Sequence, residues 1–223
     1  MNLGQSQLFS LGDEEDFKSL EKHMYKRTYK KNQLLFTEGD PRDKIYFLLE
    51  GFVKLERFNQ EATILYLDYL KPNDFFPYRG MFTNEYYHFS AYALTDIVVY
   101  YIPMTIFENF ILSDKSRLFH VVKILTGIME QHEKRIEIIT TNYVKDRIEL
   151  TFAYLMIYYG TKIQNGIIID IPIPQTEIAK LSGASRESVS HIFKELKEDK
   201  LISQNDNKQI IINQPDYFLN RLK

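Results

Sequence analysis

The sequence predicts an α+β chain in three parts: an antiparallel roll of short strands, one long amphipathic helix, and a pair of short helices followed by a β-hairpin. Three observations carry this prediction. Between Leu34 and Ile102, apolar and aromatic residues come in short runs broken by Gly-Asp-Pro, Asn-Gln-Glu and Pro-Asn-Asp turns. From about Leu112 to Gly160 the apolar period becomes helical. Between Pro174 and Ile202, small, glycine and branched apolar residues fall at the spacing of two helices joined by a tight turn. The expected boundaries are a roll over 1–111, a dimerisation helix over 112–142 and a winged helix-turn-helix over 143–223.

The roll is read strand by strand. Ile45–Leu49 is a continuous apolar run that Gly51 ends. Val53, Leu55 and Arg57 then alternate with Phe52, Lys54, Glu56 and Phe58, the period of a strand. Thr63–Leu70 follows, then the Lys71-Pro72-Asn73-Asp74 turn, then Phe89–Leu94 and Ile97–Ile102. The 16 Tyr and 16 Phe are read as the filling of this roll rather than as a stacking platform.

The helical region carries a seam. Leu118, Val122, Leu125, Met129, His132, Ile136, Ile139 and Tyr143 follow at spacings of 4, 3, 4, 3, 4, 3 and 4. A stripe sustained over more than three heptads needs a partner, and a second copy of the same helix is the economical one. The alternative is that the stripe packs on the roll of its own chain. His132 is read as a tolerated polar seam residue. A second helix, Val144–Tyr159, ends at Gly160 as its C-cap, and Ile167–Ile171 is read as a strand.

The chemistry lies in Pro174–Ile202. Ala179 is small where two helices meet, Gly183 can take the positive φ of a tight turn, and Val189 points inward six residues later, followed by Ile192 and Leu196. Ser185 is placed to cap the second helix. These inward positions leave Arg186, Glu187, Ser190, His191 and Lys194 outside. Such a face can read the major groove. Arg186 can fork to guanine, Glu187 can accept from cytosine N4, and Ser190 and His191 can make further edge contacts. Gln175, Thr176, Ser185, Ser188 and Lys194 are candidates for the phosphate backbone. Leu201–Ser203 and Lys208–Ile212 flank an Asn205-Asp206-Asn207 turn, a hairpin or wing that can present Asn205 and Lys208 to the backbone. The competing reading is a solvated charged face with pairs such as Arg186 and Ser190.

Composition excludes much. The 223 residues contain no cysteine, so there is no disulfide, thiolate zinc site, Cys-ligated cluster or Cys nucleophile. No run approaches the ~20 apolar residues of a membrane span. The polar, acidic start MNLGQSQLFSLGDEED does not read as a signal peptide, so a soluble cytoplasmic protein is expected. His23, His88, His120, His132 and His191 show no paired spacing, so no metal, cofactor or enzyme activity is expected. The formal charge of −2 averages unlike parts. Residues 1–112 hold 12 basic and 16 acidic groups, a balance of −4, and residues 113–223 hold 16 and 14, a balance of +2. DNA affinity should therefore rest on a few placed contacts and on dimerisation.

These motifs resemble the Crp/Fnr transcription regulators. Lys31–Phe36, Glu38-Gly39-Asp40-Pro41, Ile45–Leu49 and Gly51 are similar to the opening strands of that family's cyclic-nucleotide-binding-type β-roll, and Lys71–Phe76 resembles the turn before its ligand loop. The seam helix resembles its dimerisation helix. Ser185-Arg186-Glu187-Ser188-Val189 resembles the start of its recognition helix. The resemblance implies a homodimer on double-stranded DNA, a palindrome with TGTGA-like half-sites, and contact with RNA polymerase at promoters. It makes Arg186, Glu187 and His191 the base readers, with His191 where the cyclic-AMP-responsive branch has Arg. Cyclic-AMP binders carry a Gly-Glu pair and later Arg-Ser-Ala. The matching positions here are Pro77-Tyr78 and Phe89-Ser90-Ala91, so the phosphate-neutralising Arg is missing and no cyclic nucleotide binding is expected. Tyr78, Arg79, His88, Phe89 and Ser90 remain candidates for an effector pocket. The alternative is a small-molecule-gated sensor of the same fold. The run from His191 to Leu201 is similar to regulators of the arginine deiminase pathway in Gram-positive bacteria.

Overall fold

A computed structural model of the chain describes residues 18, 20–59 and 64–221. The chain divides between Gly127 and Ile128 into two compact units, each taken by itself below.

Among the described residues the first unit has eight strands: β1 (Tyr25–Tyr29), β2 (Leu34–Phe36), β3 (Lys44–Glu50), β4 (Val53–Phe58), β5 (Ile64–Leu70), β6 (Phe75–Phe76), β7 (Ser90–Ala93) and β8 (Ile97–Pro103). They form two four-stranded sheets, ordered β1-β8-β3-β6 and β2-β7-β4-β5, with antiparallel pairing throughout. The sequence had not suggested β1. Its residues Tyr-Lys-Arg-Thr-Tyr present no alternation, because they lie exposed on an edge strand. Pairing holds it in place, from Tyr25 opposite Tyr101 to Tyr29 opposite Ile97. Thr63, expected to open β5, lies outside the described residues.

Aromatics fill the roll. Phe36, Tyr46, Phe76, Tyr87 and Phe89 are buried together with Leu48, Val53, Leu55 and Val99. The Phe36 and Tyr87 rings stack with centroids 3.9 Å apart. Gly51 ends β3 at φ +82°, and a Cβ there would sit 2.3 Å from the Asp96 carbonyl oxygen, so only glycine fits the turn.

In the turn before β6, the Lys71 N–H donates to Asp74. Burial, opposed by that bond, raises the Asp74 carboxyl from 3.8 to about 6. The native state thus binds this proton more tightly than the unfolded chain does. Asp74 contributes its stability in full below about pH 4, and the contribution is lost as pH rises through about 6. Thermal melts from pH 4 to 7 should therefore show a component of falling stability that disappears in Asp74→Asn.

Two helices follow, α1 (Met104–Leu112) and α2 (Lys115–Thr140). The expected single helix from 112 is interrupted because Asp114 Oδ1 accepts from the Ser116 and Arg117 N–H groups at 2.6 and 3.1 Å and caps a new helix. Arg117 closes the corner by donating to Phe110 O and Ser113 Oγ. Along α2 two faces separate. Val121 is buried in the lower cluster of the roll, with Ile124 and Leu125 packed against it. Beyond the division at Gly127, Gln131 donates to the Tyr154 hydroxyl at 2.7 Å and Ile138 is buried. Leu118, Val122, Met129, Ile136 and Ile139 stand exposed, and His132 is half-buried.

Leu125 is half-buried against the roll of its own chain. One seam assignment needs correction. Tyr143 lies outside the helix, because α2 ends at Thr140 and Tyr143 occupies the N-cap position of α3 (Val144–Tyr159). The heptad count carries on past the end of the helix only by coincidence of spacing.

The second unit is organised around α3, whose Ile148, Phe152 and Leu155 are fully buried. Gly160 is the C-cap of α3, as expected. It is extended (φ −97°, ψ 140°) and starts β9 (Gly160–Ile163), a strand the sequence had not suggested. With β10 (Gly166–Ile169), β11 (Ile202–Gln204) and β12 (Ile210–Ile212) it makes an antiparallel sheet ordered β11-β12-β10-β9. Three more helices complete the unit: α4 (Gln175–Ser182), α5 (Arg186–Glu198) and α6 (Pro215–Leu219). Phe152 packs between Phe193 of α5 and Phe218 of α6, with centroids 6.0 and 6.2 Å away.

Candidate nucleic-acid interface

The helix-turn-helix is shaped by its termini. Gly183 takes φ 58°, ψ 35°, the left-handed conformation, and ends α4. The Ala184 N–H donates to Ala179 O and the Gly183 N–H to Lys180 O, the paired bonds of a Schellman closure. Ser182, fully buried, returns its hydroxyl to Ile178 O at 2.8 Å. Ser185 then caps α5 by accepting from the Ser188 N–H at 3.1 Å. Two residues, Gly183 and Ala184, therefore separate the end of α4 from the cap of α5.

Packing on α3 fixes which way α5 faces. Val189, Ile192, Phe193 and Leu196 are buried, which leaves Arg186, Glu187, Ser190, His191 and Lys194 exposed in one outward row. Hydrogen bonds from its own backbone N–H and the Ser185 hydroxyl hold the Glu187 carboxyl below its ordinary range, so it is a carboxylate acceptor. Lys194 stands 3.7 Å from Glu198. His191 Nδ1 is 3.2 Å from Glu195 Oε1, and Glu195 Oε2 accepts from Lys145 Nζ at 2.8 Å. Thr176 and Ser185 are exposed beside this row, and Gln175 and Ser188 are half-buried.

The hairpin β11–β12 forms as expected, but its tip uses one candidate internally. Asn205 Oδ1 accepts from the Gln209 N–H at 2.9 Å, and its Nδ2 donates to Gln209 Oε1 at 2.9 Å. Lys208, at φ 60°, is exposed.

One residue at this site gave no signal in the sequence. Arg147, in the first turns of α3, donates to four backbone carbonyls. Thr141 O and Asn142 O lie in the linker after α2, and Ser182 O and Gly183 O in the helix-turn-helix turn, at 2.9 to 3.2 Å. A side chain that binds carbonyls leaves no pattern of partner residue types to read. Glu149 gave no signal either. It is fully buried and paired with Arg221 Nε at 2.6 Å.

The effector candidates occupy the roll differently from one another. Phe89 is 1 % exposed, its ring stacked on Tyr66 at 5.7 Å. Tyr78 and Tyr66 both donate to the buried Asp68 carboxylate, at 2.8 and 3.0 Å. Ser90 Oγ accepts from the Glu38 N–H at 3.0 Å. Arg79 is exposed, and burial followed by the Arg79 charge lowers the His88 pKa. Among the described residues, no three or more His, Asp or Glu side chains gather as a metal site.

Two family models match. A cyclic nucleotide-binding domain covers residues 26–114 and a Crp-like helix-turn-helix domain covers residues 152–221. The chain belongs to the Crp/Fnr family of transcription regulators. Relatives agree with that placement. The chain is 27 % identical over 192 residues to the global nitrogen regulator of Nostoc sp. PCC 7120, covering 84 % of this chain and 85 % of that one. It is 26 % identical over 186 residues to the HTH-type transcriptional regulator ArcR of Staphylococcus epidermidis, covering 83 % and 81 %. The solved structure of FixK2 from Bradyrhizobium japonicum superposes with a TM-score of 0.76 at 15 % identity, over 88 % of this chain and 96 % of that one. This Crp/Fnr regulator thus pairs a nucleotide-binding-type roll with a DNA-binding helix-turn-helix, and its relatives are regulators, not enzymes. Regulators of this family bind DNA and act as dimers.

Proposed function

We propose that this regulator binds a palindrome of TGTGA-like half-sites as a homodimer, without cyclic AMP. The outward row of Arg186, Glu187, Ser190 and His191 on α5 carries the reading, because these side chains offer the donors and acceptors that match base edges in the major groove. Ser185, Ser188, Gln175, Thr176 and Lys194 flank the row and serve the phosphates, and Lys208 extends this service from the wing. The exposed apolar positions of α2, from Leu118 to Ile139, form the dimer seam. The two recognition helices then enter successive major grooves about one helical turn apart. In the cytoplasm, bound at promoters, the dimer contacts RNA polymerase.

Independence from cyclic AMP is supported by the roll. Where an anionic ligand needs a cation, Phe89 is buried in the core, and nearby Asp68 is a buried carboxylate holding two tyrosines. A phosphate brought there would meet like charge and lose water without compensation. The arginine-deiminase branch rests on the likeness of the run from His191 to Leu201, since overall identity does not favour it, at 27 % to the Nostoc regulator and 26 % to the Staphylococcus one.

The test is a mobility-shift titration of purified protein on the palindrome, with and without cyclic AMP. The expected result is specific retardation with the same midpoint in both. Retardation only with cyclic AMP overturns the effector-free reading. Retardation only with cell extract favours the gated-sensor alternative. No preference over a scrambled duplex overturns the operator.

A further inference from the structure

His191 reads a base with a ring whose two nitrogens are not equivalent, and its surroundings decide which nitrogen does the reading. Its Nδ1 is 3.2 Å from Glu195 Oε1, one helical turn along α5. Glu195 is in turn held by Lys145, the second residue of α3, with Nζ 2.8 Å from Oε2. The His191 side chain is 72 % exposed and that of Glu195 is 35 % exposed, so the ring projects while its anchor sits closer to the protein. The Lys145 ammonium beside it holds the Glu195 carboxyl below its ordinary range.

A carboxylate has no proton to give, so the 3.2 Å approach of His191 Nδ1 to Glu195 Oε1 is favourable only with the proton on Nδ1. In the uncharged ring, Nε2 is then a bare acceptor. It matches the exocyclic amine of adenine or cytosine and repels the O6 and N7 of guanine. The uncharged tautomer with its proton on Nε2, which would favour guanine or thymine edges, is excluded for as long as Glu195 keeps Nδ1.

We propose that Glu195, anchored by Lys145, is a positioning residue that sets base specificity by tying His191 Nδ1 and leaving Nε2 to face the base. This rests on the reading of α5 as the DNA-reading helix. It also gives α3 a direct line to one base contact, because Lys145 belongs to α3 and not to the helix in the groove.

The test starts from duplexes randomised across a palindromic site and selected with the parent protein. Each position of the selected half-site is then offered as its four base pairs, and binding is followed by fluorescence anisotropy. The position flattened by His191→Ala is the one His191 reads. There the parent should discriminate by about fivefold or more. Glu195→Gln, whose amide can serve either tautomer, should bring the four base pairs within about twofold of one another at that position and leave the ratios elsewhere unchanged. Lys145→Met should act in the same direction, and Glu195→Gln should add nothing in a His191→Ala background. Full discrimination in Glu195→Gln overturns the proposal. Equal weakening on all four base pairs also overturns it, because Glu195 then serves affinity alone. No flattened position in His191→Ala removes His191 as a reader and overturns it as well. A parent that selects no site defeats the proposed function itself, an outcome distinct from these.

Discussion

Arg186→Ala is expected to cost about five- to 150-fold in affinity for the operator, and to lose that amount only where the contacted base pair is the preferred one. A guanidinium that forks to guanine O6 and N7 discriminates by its geometry, and alanine offers nothing to either atom. Glu187→Ala should relax preference at its own position in the same way. It removes a carboxylate that its backbone N–H and Ser185 hold ready to accept a hydrogen bond. Both side chains are exposed, so the melting temperature should not move. Lys208→Ala provides the contrast. It should weaken binding to every sequence alike and lower the salt slope by about one. Titrations against the operator, its single-base variants and a scrambled duplex, each at several salt concentrations, separate the two behaviours. Arg186→Ala protein that binds the operator as tightly as the parent would sink the reader assignment.

The second large effect is expected on α2. Val122 and Ile136 are 49 % and 56 % exposed in the single chain. A dimer seam would cover them, and fully burying each such side chain contributes about 1.5–3 kcal/mol. The double substitution Val122→Glu with Ile136→Glu replaces that gain with two facing pairs of like charges taken out of water. Sedimentation equilibrium should show monomers at concentrations where the parent is dimeric. The palindrome should then be bound no better than an isolated half-site. The monomer should still melt cooperatively, since neither residue supports the core of its own chain. Val121→Glu, next to Val122 but 1 % exposed, should instead unfold the first unit. A double variant that still sediments as a dimer would move the interface off this face.

The two regions were legible to different degrees. The helix-turn-helix could be read from Ala179, Gly183 and Val189 because its turn depends on the residues themselves. Only glycine takes the left-handed conformation without strain, and only a small residue lets two helices approach. The roll could be read from runs such as Ile45–Leu49, whose apolar character follows from burial. The sequence missed β1 because an exposed edge strand is specified by its partner, β8, and not by its own side chains. It carried the seam too far at Tyr143. Spacing describes a helix face but says neither where the helix stops nor what covers each part of the face. Arg147, and the link from Lys145 through Glu195 to His191, escaped for a third reason. Arg147 to Ser182 and Lys145 to Glu195 join residues 35 and 50 positions apart in the sequence, whose pairing only the folded chain reveals.

Arg147 has a consequence for how this protein can change. Its guanidinium holds the linker at Thr141 and Asn142 and the turn at Ser182 and Gly183 only through main-chain oxygens. Every residue type supplies that oxygen. The contacts of Arg147 itself are therefore indifferent to the side chains of the segments it holds, although the turn still needs glycine at 183. Under the proposed reading, new residues at 186, 187, 190 and 191 would alter which DNA is recognised while Arg147 keeps its carbonyl contacts. Target choice and helix placement are in this sense separately inheritable, and the arginine keeps them so.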